Sequence, residues 1–200
     1  MSDLETRRAK LAASRGAIAP AKFAHVVRRT GRFQEMVSWY QTVLAATIAY
    51  ADDFAAFMTY DEEHHRIAIA AVPGLVEAPP NAVGTDHVAF TYADLGDLLQ
   101  TYSRLKNEGI DPYWRINHGP TLSLYYRDPD GNGVELQIDC FATAEECNAW
   151  LATDEFKTNP IGVTFDPEAL LARYRAGEPL AELTKRPPLP DGASPLDMLR

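Results

Sequence analysis

Two halves of this chain repeat the same order of predicted helix and strands, and this repeat restricts its fold more than any other feature. The first half opens with His-Val at His25 and the second with His-Val at His87. A tyrosine follows fifteen residues after each histidine, at Tyr40 and Tyr102. Both tyrosines lie in segments whose apolar residues recur at helical spacing. An internal repeat of this kind indicates a fold built from duplicated units.

Each half contains one predicted strand before its helix and three after it. The predicted strands cover 25–27, 47–51, 54–61 and 65–72 in the first half, and 87–90, 111–116, 122–128 and 133–139 in the second. We therefore predict an α+β fold of two tandem βαβββ modules, at about 21–75 and 83–142, that form one cupped mixed sheet. A segment rich in proline and glycine links the modules.

Segments on both sides of the repeat complete the predicted organisation. Residues 1–20 form an N-terminal arm, and 143–200 form a helical C-terminal extension that ends in an extended tail. Thr143 and Asp166 stand where helix N-caps are expected, and Pro167 follows Asp166 at the first helical position. We predict that this extension covers the modules or contacts another subunit.

Composition excludes several classes of partner. The net charge of -9 argues against nucleic acid and against an anionic membrane surface. No apolar run approaches the ~20 residues that cross a bilayer. The two cysteines, Cys140 and Cys147, have neither disulfide-framework nor zinc-site spacing. We interpret them as reduced thiols and expect a cytoplasmic protein.

The histidines suggest a metal site. The chain has five, and His25 and His87 occupy equivalent places in the two halves. Glu135 alternates with Val134 and Leu136 in its predicted strand, so it points away from the apolar face. Taken singly, each of these residues is more often structural or solvated. Packing of the repeats around one cavity would bring the three together as a His/His/Glu face, which is typical of non-haem Fe(II) oxygenases.

Further polar residues could line the same cavity. His64 and His65 are adjacent, so a strand would send them to opposite faces, and alternation with Ile67 favours His65 as the inward one. His118 precedes a predicted strand in which Ser123 and Tyr125 share a face. His118 and Tyr125 could both reach a pocket, although core packing is the ordinary role of such a tyrosine.

These segments together resemble a known family. "DEEHHRIAIAAVP", "DHVAF" and "NHGPTLSLYYRDPDGNGVEL" are similar to motifs of the type I extradiol ring-cleavage dioxygenases of the vicinal oxygen chelate superfamily, specifically the one-domain relatives of biphenyl-2,3-diol 1,2-dioxygenase. The resemblance covers Lys22 to about Asp139. It implies Fe(2+), with Mn(2+) as an alternative, and a small aromatic diol and O2 as substrates. It also implies a homo-oligomer.

The resemblance assigns roles to individual residues. It implies that His25, His87 and Glu135 are the metal ligands. His65 becomes the acid/base residue beside the O2 position, while His118 and Tyr125 orient the substrate. His65, His118 and Tyr125 are thus the predicted catalytic residues, and Thr121 and Ser123 are predicted to bind the substrate as well.

Two rival functions use the same scaffold. A glyoxalase-like isomerase or thiol transferase would need a further carboxylate from the last strand of the first module, and "RIAIAAV" contains none. A binding module that sequesters an aromatic ligand without chemistry would have no need of three ligands and three pocket groups. Both alternatives stay open at the level of the sequence.

Overall fold

The computed structural model describes residues 19–76, 79 and 82–199. The predicted N-terminal arm therefore lies outside the described residues, except for positions 19 and 20, and so do four positions of the linker. Within the described part of the chain, none of the helices is both long and apolar enough to cross a membrane.

Each module contains the predicted strand–helix–strand–strand–strand order. The first consists of β1 (Val26–Thr30), α1 (Phe33–Leu44), β2 (Thr47–Ala51), β3 (Ala55–Thr59) and β4 (Ile67–Ala71). The second consists of β5 (His87–Thr91), α2 (Leu95–Asn107), β6 (Trp114–Asn117), β7 (Thr121–Arg127) and β8 (Gly133–Asp139). The α+β prediction and the duplication of the βαβββ unit are confirmed.

The strands form two hydrogen-bonded sheets, so the prediction of one continuous cupped sheet is wrong in this respect. The first sheet has the order β1-β4-β3-β2, and the second begins β5-β8-β7-β6. In both sheets the first strand of the module pairs in parallel with the last. β1 and β5 are therefore edge strands. Alternation along a strand specifies its faces but not which strand edges pair, which is why the sequence did not reveal this division.

Helix α1 and helix α2 cover one face of their sheets and form the main core. The core side of β8 consists of Val134, Leu136 and Ile138, all buried. Alternation therefore turns Glu135 to the opposite face.

The two repeated tyrosines stabilise different junctions. Tyr40 donates its hydroxyl proton to Asp128 Oδ2 at 3.1 Å and thereby joins the two modules. Tyr102 donates to Glu168 Oε1 at 2.8 Å in the C-terminal extension. Asp128 also accepts backbone hydrogen bonds from Asp130 and Asn132, as expected of a residue that shapes the turn between β7 and β8.

The C-terminal extension is mainly helical, as predicted. Its elements are α3 (Ala144–Leu151), α4 (Asp154–Thr158), β9 (Val163–Thr164), α5 (Pro167–Arg175), α6 (Leu180–Thr184) and a 3₁₀ turn (Pro195–Met198). Thr143 and Asp166 cap α3 and α5 with their side chains, as expected. β9 was not predicted: it pairs with β6 and adds a fifth strand to the second sheet. A two-residue strand carries too little alternation to be recognised.

Candidate active site

A row of polar and aromatic side chains crosses the face of the second sheet opposite α2. Glu135 in β8 pairs with Tyr125 in β7 on one side and with Ala89 in β5 on the other. Tyr125 pairs in turn with Trp114 in β6. Residues paired across strands share a face, so strand register alone brings these side chains together.

A small residue of β8, Gly133, leaves space beside the Glu135 carboxylate. His87 pairs with Gly133, which stands two residues before Glu135 on the same face. A Cβ atom at Gly133 would lie 2.3 Å from the carbonyl oxygen of Asp86 and 3.0 Å from His87 Cβ. Glycine therefore permits the close approach of the two strands, and the imidazole can lean towards the carboxylate.

His87 is held between two carboxylates. Its Nδ1 lies 2.7 Å from Asp86 Oδ2, and its Nε2 lies 3.0 Å from Glu135 Oε2. Glu135 is 4% exposed, whereas Asp86 is at the surface. Because the Asp86 oxygen only accepts, Nδ1 carries a proton in this arrangement. Nε2 and the buried Glu135 oxygen are then two acceptors that need a proton or a metal ion between them.

Tyr125 and His118 continue the same chain of hydrogen bonds. The Tyr125 hydroxyl lies 2.8 Å from Glu135 Oε1 and 2.9 Å from His118 Nε2. The other ring nitrogen of His118 donates to the main-chain carbonyl of Ile161. Burial is the main cause that lowers the pKa of His118 below its usual value. His118 is therefore neutral near pH 7, with its proton on Nδ1 and a lone pair on Nε2 facing Tyr125.

Aromatic rings form a wall beside Tyr125. The ring of Trp114 lies 4.7 Å from that of Tyr125 and 5.4 Å from that of His118, between centroids. Trp114 donates its indole N–H to the carbonyl of Met198 at 2.9 Å, so the C-terminal end fixes this ring. Tyr113 packs into the same cluster.

His25 and His65 lie together at the edge of the first sheet. The Val26 N–H donates to the carbonyl of Arg66 at 2.9 Å, which brings the start of β1 beside the residues that precede β4. The His25 and His65 rings lie 4.5 Å apart, and Phe57 stacks on His65 at 4.9 Å. The pKa of His65 is lowered by partial burial and then by the nearby His25 and His64.

The predicted separation of His64 and His65 onto opposite faces of a strand is wrong. β4 begins only at Ile67, so both residues lie in the preceding loop. Their rings are in contact, with centroids 4.4 Å apart. The strand rule did not apply because the Asp61–Arg66 ion pair, at 2.9 Å, closes this segment as a turn.

The predicted site residues thus form two groups. His87, Glu135, Tyr125 and His118 are connected directly, and His25 lies with His65. Thr121 and Ser123 continue along the Tyr125 face of β7, with the buried Ser123 hydroxyl donating to Thr121 Oγ1 at 3.1 Å. Within the described residues, no three His, Cys, Asp or Glu side chains are gathered as a metal site, so of the three predicted ligands the structure brings only His87 and Glu135 into contact.

Sequence reasoning missed three contributors to the site. Asp86 holds Nδ1 of His87, the Ile161 carbonyl holds Nδ1 of His118, and Arg186 donates to the His118 carbonyl at 3.3 Å. Asp86 had a local signal, since a carboxylate beside a metal-ligating histidine is the usual partner of its second nitrogen. The other two lie in the extension, far away along the chain, and no local pattern points to them.

Comparison with known proteins identifies the family. The sequence model of the Glyoxalase/Bleomycin resistance protein/Dioxygenase superfamily matches residues 22–136. The chain is 48% identical over 167 residues to biphenyl-2,3-diol 1,2-dioxygenase 2 of Rhodococcus globerulus, covering 83% of this chain and 88% of that protein. The match to biphenyl-2,3-diol 1,2-dioxygenase 3 of the same organism is 48% over 167 residues, with 82% and 88% coverage. The chain belongs to this superfamily.

Solved structures agree on the fold. The structure of a glyoxalase-type protein from Bacillus halodurans matches with a TM-score of 0.50 and 13% identity, over 58% of this chain and 94% of that one. At this identity the likeness concerns the fold alone, and it supports the vicinal oxygen chelate architecture.

Proposed function

We propose that this protein is an extradiol dioxygenase that cleaves a catechol-type ring with O2, next to the two hydroxyl groups, in the degradation of aromatic compounds. The observation that carries the proposal is the 48% identity to two biphenyl-2,3-diol 1,2-dioxygenases along most of both chains. The hydrogen-bonded series from Asp86 to His118 supports it, because it places a base, a hydroxyl donor and a buried acid on one face.

The ligands of a catalytic metal ion in this proposal are His87, Glu135 and His25. The donors suit a divalent metal, because Nε2 of His87 and the Glu135 carboxylate, both common metal ligands, face each other at 3.0 Å. Asp86 supplies the partner that orients a ligating histidine. His25 remains a prediction that rests on its equivalence to His87 in the repeat. The ion, Fe(2+) or alternatively Mn(2+), would lower the pKa of the catechol hydroxyls and bring the ring and O2 together.

Tyr125 and His118 can accept a substrate proton. Tyr125 has one hydroxyl proton and two acceptors in reach, Glu135 Oε1 and His118 Nε2. With Glu135 engaged as a ligand, its oxygen would be the weaker acceptor, and the Tyr125 hydroxyl would donate to His118 Nε2. The Tyr125 oxygen would then accept from a catechol hydroxyl. Because burial keeps His118 neutral, its Nε2 is the base at the end of this path.

His65 is the residue we assign to proton transfer beside O2. Its lowered pKa keeps the ring neutral at rest and makes its protonated form a stronger acid. His65 must therefore receive a proton, which the catechol can supply, before it returns one to the oxidised product. Phe57 holds the ring in place by stacking.

Substrate contacts complete the proposal. Trp114 and Tyr113 form an aromatic wall next to Tyr125 that suits a flat ring, and Thr121 and Ser123 are proposed to bind the substrate farther along β7. The division into arm, modules and extension, the homo-oligomeric state and the cytoplasmic location remain predictions.

The test is anaerobic loading with Fe(2+), followed by 2,3-dihydroxybiphenyl and air. We expect a yellow ring-fission product and one O2 consumed per ring, and no turnover by His87→Ala prepared in parallel. Iron bound without turnover of this or any other catechol would refute the proposed function. Isomerisation of a glutathione hemithioacetal by the same sample would favour the glyoxalase-like rival. A sample that binds an aromatic diol but no metal would favour the binding module.

A further inference from the structure

A buried arginine in the C-terminal tail contacts the segment that carries His118. The side chain of Arg186 is 5% exposed, although it follows α6 in a stretch without regular structure. Its Nη1 donates to the carbonyls of Asn159 at 2.7 Å and of His118 at 3.3 Å. Its Nη2 donates to the carbonyl of Glu155 at 3.0 Å. One guanidinium therefore joins the tail to two other main-chain segments, residues 155–159 and the chain at His118.

The contacts of Arg186 reach both partners of the hydrogen bond that orients the His118 ring. The donor is His118 itself, whose carbonyl Arg186 binds. The acceptor is the Ile161 carbonyl, and Ile161 belongs to a turn closed by Asn159, whose side chain accepts from the Ile161 N–H at 3.2 Å. Arg186 binds the Asn159 carbonyl in the same turn. Loss of the guanidinium would release the ring and its acceptor together.

Packing reinforces this arrangement from a second side. The Arg186 guanidinium lies over the Trp150 ring, 4.8 Å from its centroid. The Trp150 ring lies against Gly119, where a Cβ would approach it to 2.1 Å. Gly119 also has a positive φ of 101°, which favours glycine. The residue directly after His118 is therefore fixed between a turn that needs its positive φ and a ring held by Arg186.

We propose that Arg186 is a positioning residue of the active site: the C-terminal tail uses it to hold the His118 imidazole with Nδ1 on Ile161 and Nε2 on Tyr125. A guanidinium suits this role, because its planar array of N–H donors can bind three carbonyls at once, whereas a lysine ammonium is a single compact charge. The catalytic consequence rests on the proposed function. The orientation of the ring does not, and it can be measured separately.

The first experiment is a double-mutant cycle in the full chain with Arg186→Ala and His118→Gln. We expect Arg186→Ala alone to lower kcat about 10- to 100-fold with a smaller change in KM, since a misplacement of about 1 Å can cost ~10²-fold. In the His118→Gln background the same change should lower kcat less than about 3-fold, because the two residues act as one unit. Equal losses in both backgrounds would overturn the proposal.

The second experiment observes the ring without turnover. The chain has five histidines, so their imidazole ¹H–¹⁵N signals can be assigned, with His118→Gln identifying the His118 Nδ1–H. We expect Arg186→Ala to shift this signal or lose it through solvent exchange. Arg173→Ala is the matched control, because Arg173 pairs with Glu178 at the surface of the same extension. It should leave the signal and kcat unchanged.

The conservative variant decides the matter if Arg186→Ala does not fold. Arg186→Lys keeps the charge over Trp150 but loses the simultaneous hydrogen bonds, so we expect a perturbed His118 signal and a reduced kcat. A wild-type signal and rate in Arg186→Lys would overturn the proposal. A perturbed signal in a protein whose wild type turns over no catechol would refute the proposed function and leave the positioning role supported.

Discussion

Replacing Gly133 with alanine tests whether close packing of β5 on β8 places His87. The added methyl group would lie 2.3 Å from the Asp86 carbonyl oxygen and 3.0 Å from His87 Cβ. The first obstacle is main chain, so it cannot rotate away as a flexible side chain would. β5 must shift from β8 by several tenths of an ångström, and His87 and Asp86 must shift with it.

The expected cost follows from overpacking a well-packed contact. An inserted methyl group of this kind costs about 1–3 kcal/mol. For a chain of this size each kcal/mol lowers Tm by roughly 2–4 °C, so the fall should be about 2–12 °C. In the proposed site, displacement of His87 together with its carboxylate partner Asp86 should weaken metal binding by about 10- to 100-fold. We expect kcat to decrease as well.

The assay combines thermal unfolding with Fe(2+) titration of Gly133→Ala and a control. Gly31→Ala is the matched control, because nothing lies within 4 Å of a Cβ at Gly31. Its free energy of unfolding should stay within about 0.5 kcal/mol of the wild type. If Gly133→Ala has the Tm and the iron affinity of Gly31→Ala, the reasoning about strand packing and His87 is refuted.

Four further predictions concern single groups of the site. Tyr125→Phe removes a hydroxyl that hydrogen-bonds a buried carboxylate, so kcat should fall about 10- to 100-fold while iron stays bound, and unchanged steady-state kinetics would contradict this. Asp86→Ala should weaken iron binding about 10- to 100-fold by titration, an effect that Asp86→Glu should partly restore. His118 has a lowered pKa when folded, so the unfolded chain takes up the proton first as the pH falls below about 6.5. The free energy of unfolding of the wild type, measured by chemical denaturation, should therefore fall by up to about 1.4 kcal/mol per pH unit in that range, and that of His118→Gln should fall less. If the free energies of the two proteins fall in parallel with pH, His118 is not the cause. His65→Phe should bind iron and catechol normally but lose turnover, and full activity would mean that His65 is only structural.

Local periodicity was sufficient to predict the site face of the second module. Val134 and Leu136 alternate with Glu135, and the structure buries the first two against the helix side as expected. Strand alternation likewise put Ser123 and Tyr125 on one face. These predictions succeeded because the two faces of a strand differ in polarity, and this difference shows in the sequence as alternating polar and apolar residues.

Contacts between distant segments could not be predicted in the same way. The Ile161 carbonyl that holds His118 is a main-chain group, which every residue has, so the residue type at position 161 does not reveal this role. Arg186 lies 68 residues after His118 and looks like an ordinary tail residue in the sequence. The division into two sheets depends on strand edges, which alternation does not describe.

The duplication also explains why two similar modules yield one site with unequal halves. Each module places a histidine at the start of its first strand, but only the second has an acid in its last strand, where the first has Ile67 to Ala71. The C-terminal extension adds β9 to the second sheet alone and supplies the carbonyls that fix His118 and Trp114. Rigid support is therefore concentrated around the second module, while His25 and His65 lie at the edge of the first. In the proposed function, this arrangement would hold His118, the substrate-orienting base, firmly and leave His65, the histidine beside O2, more accessible, which suits a reaction whose second substrate is a small gas.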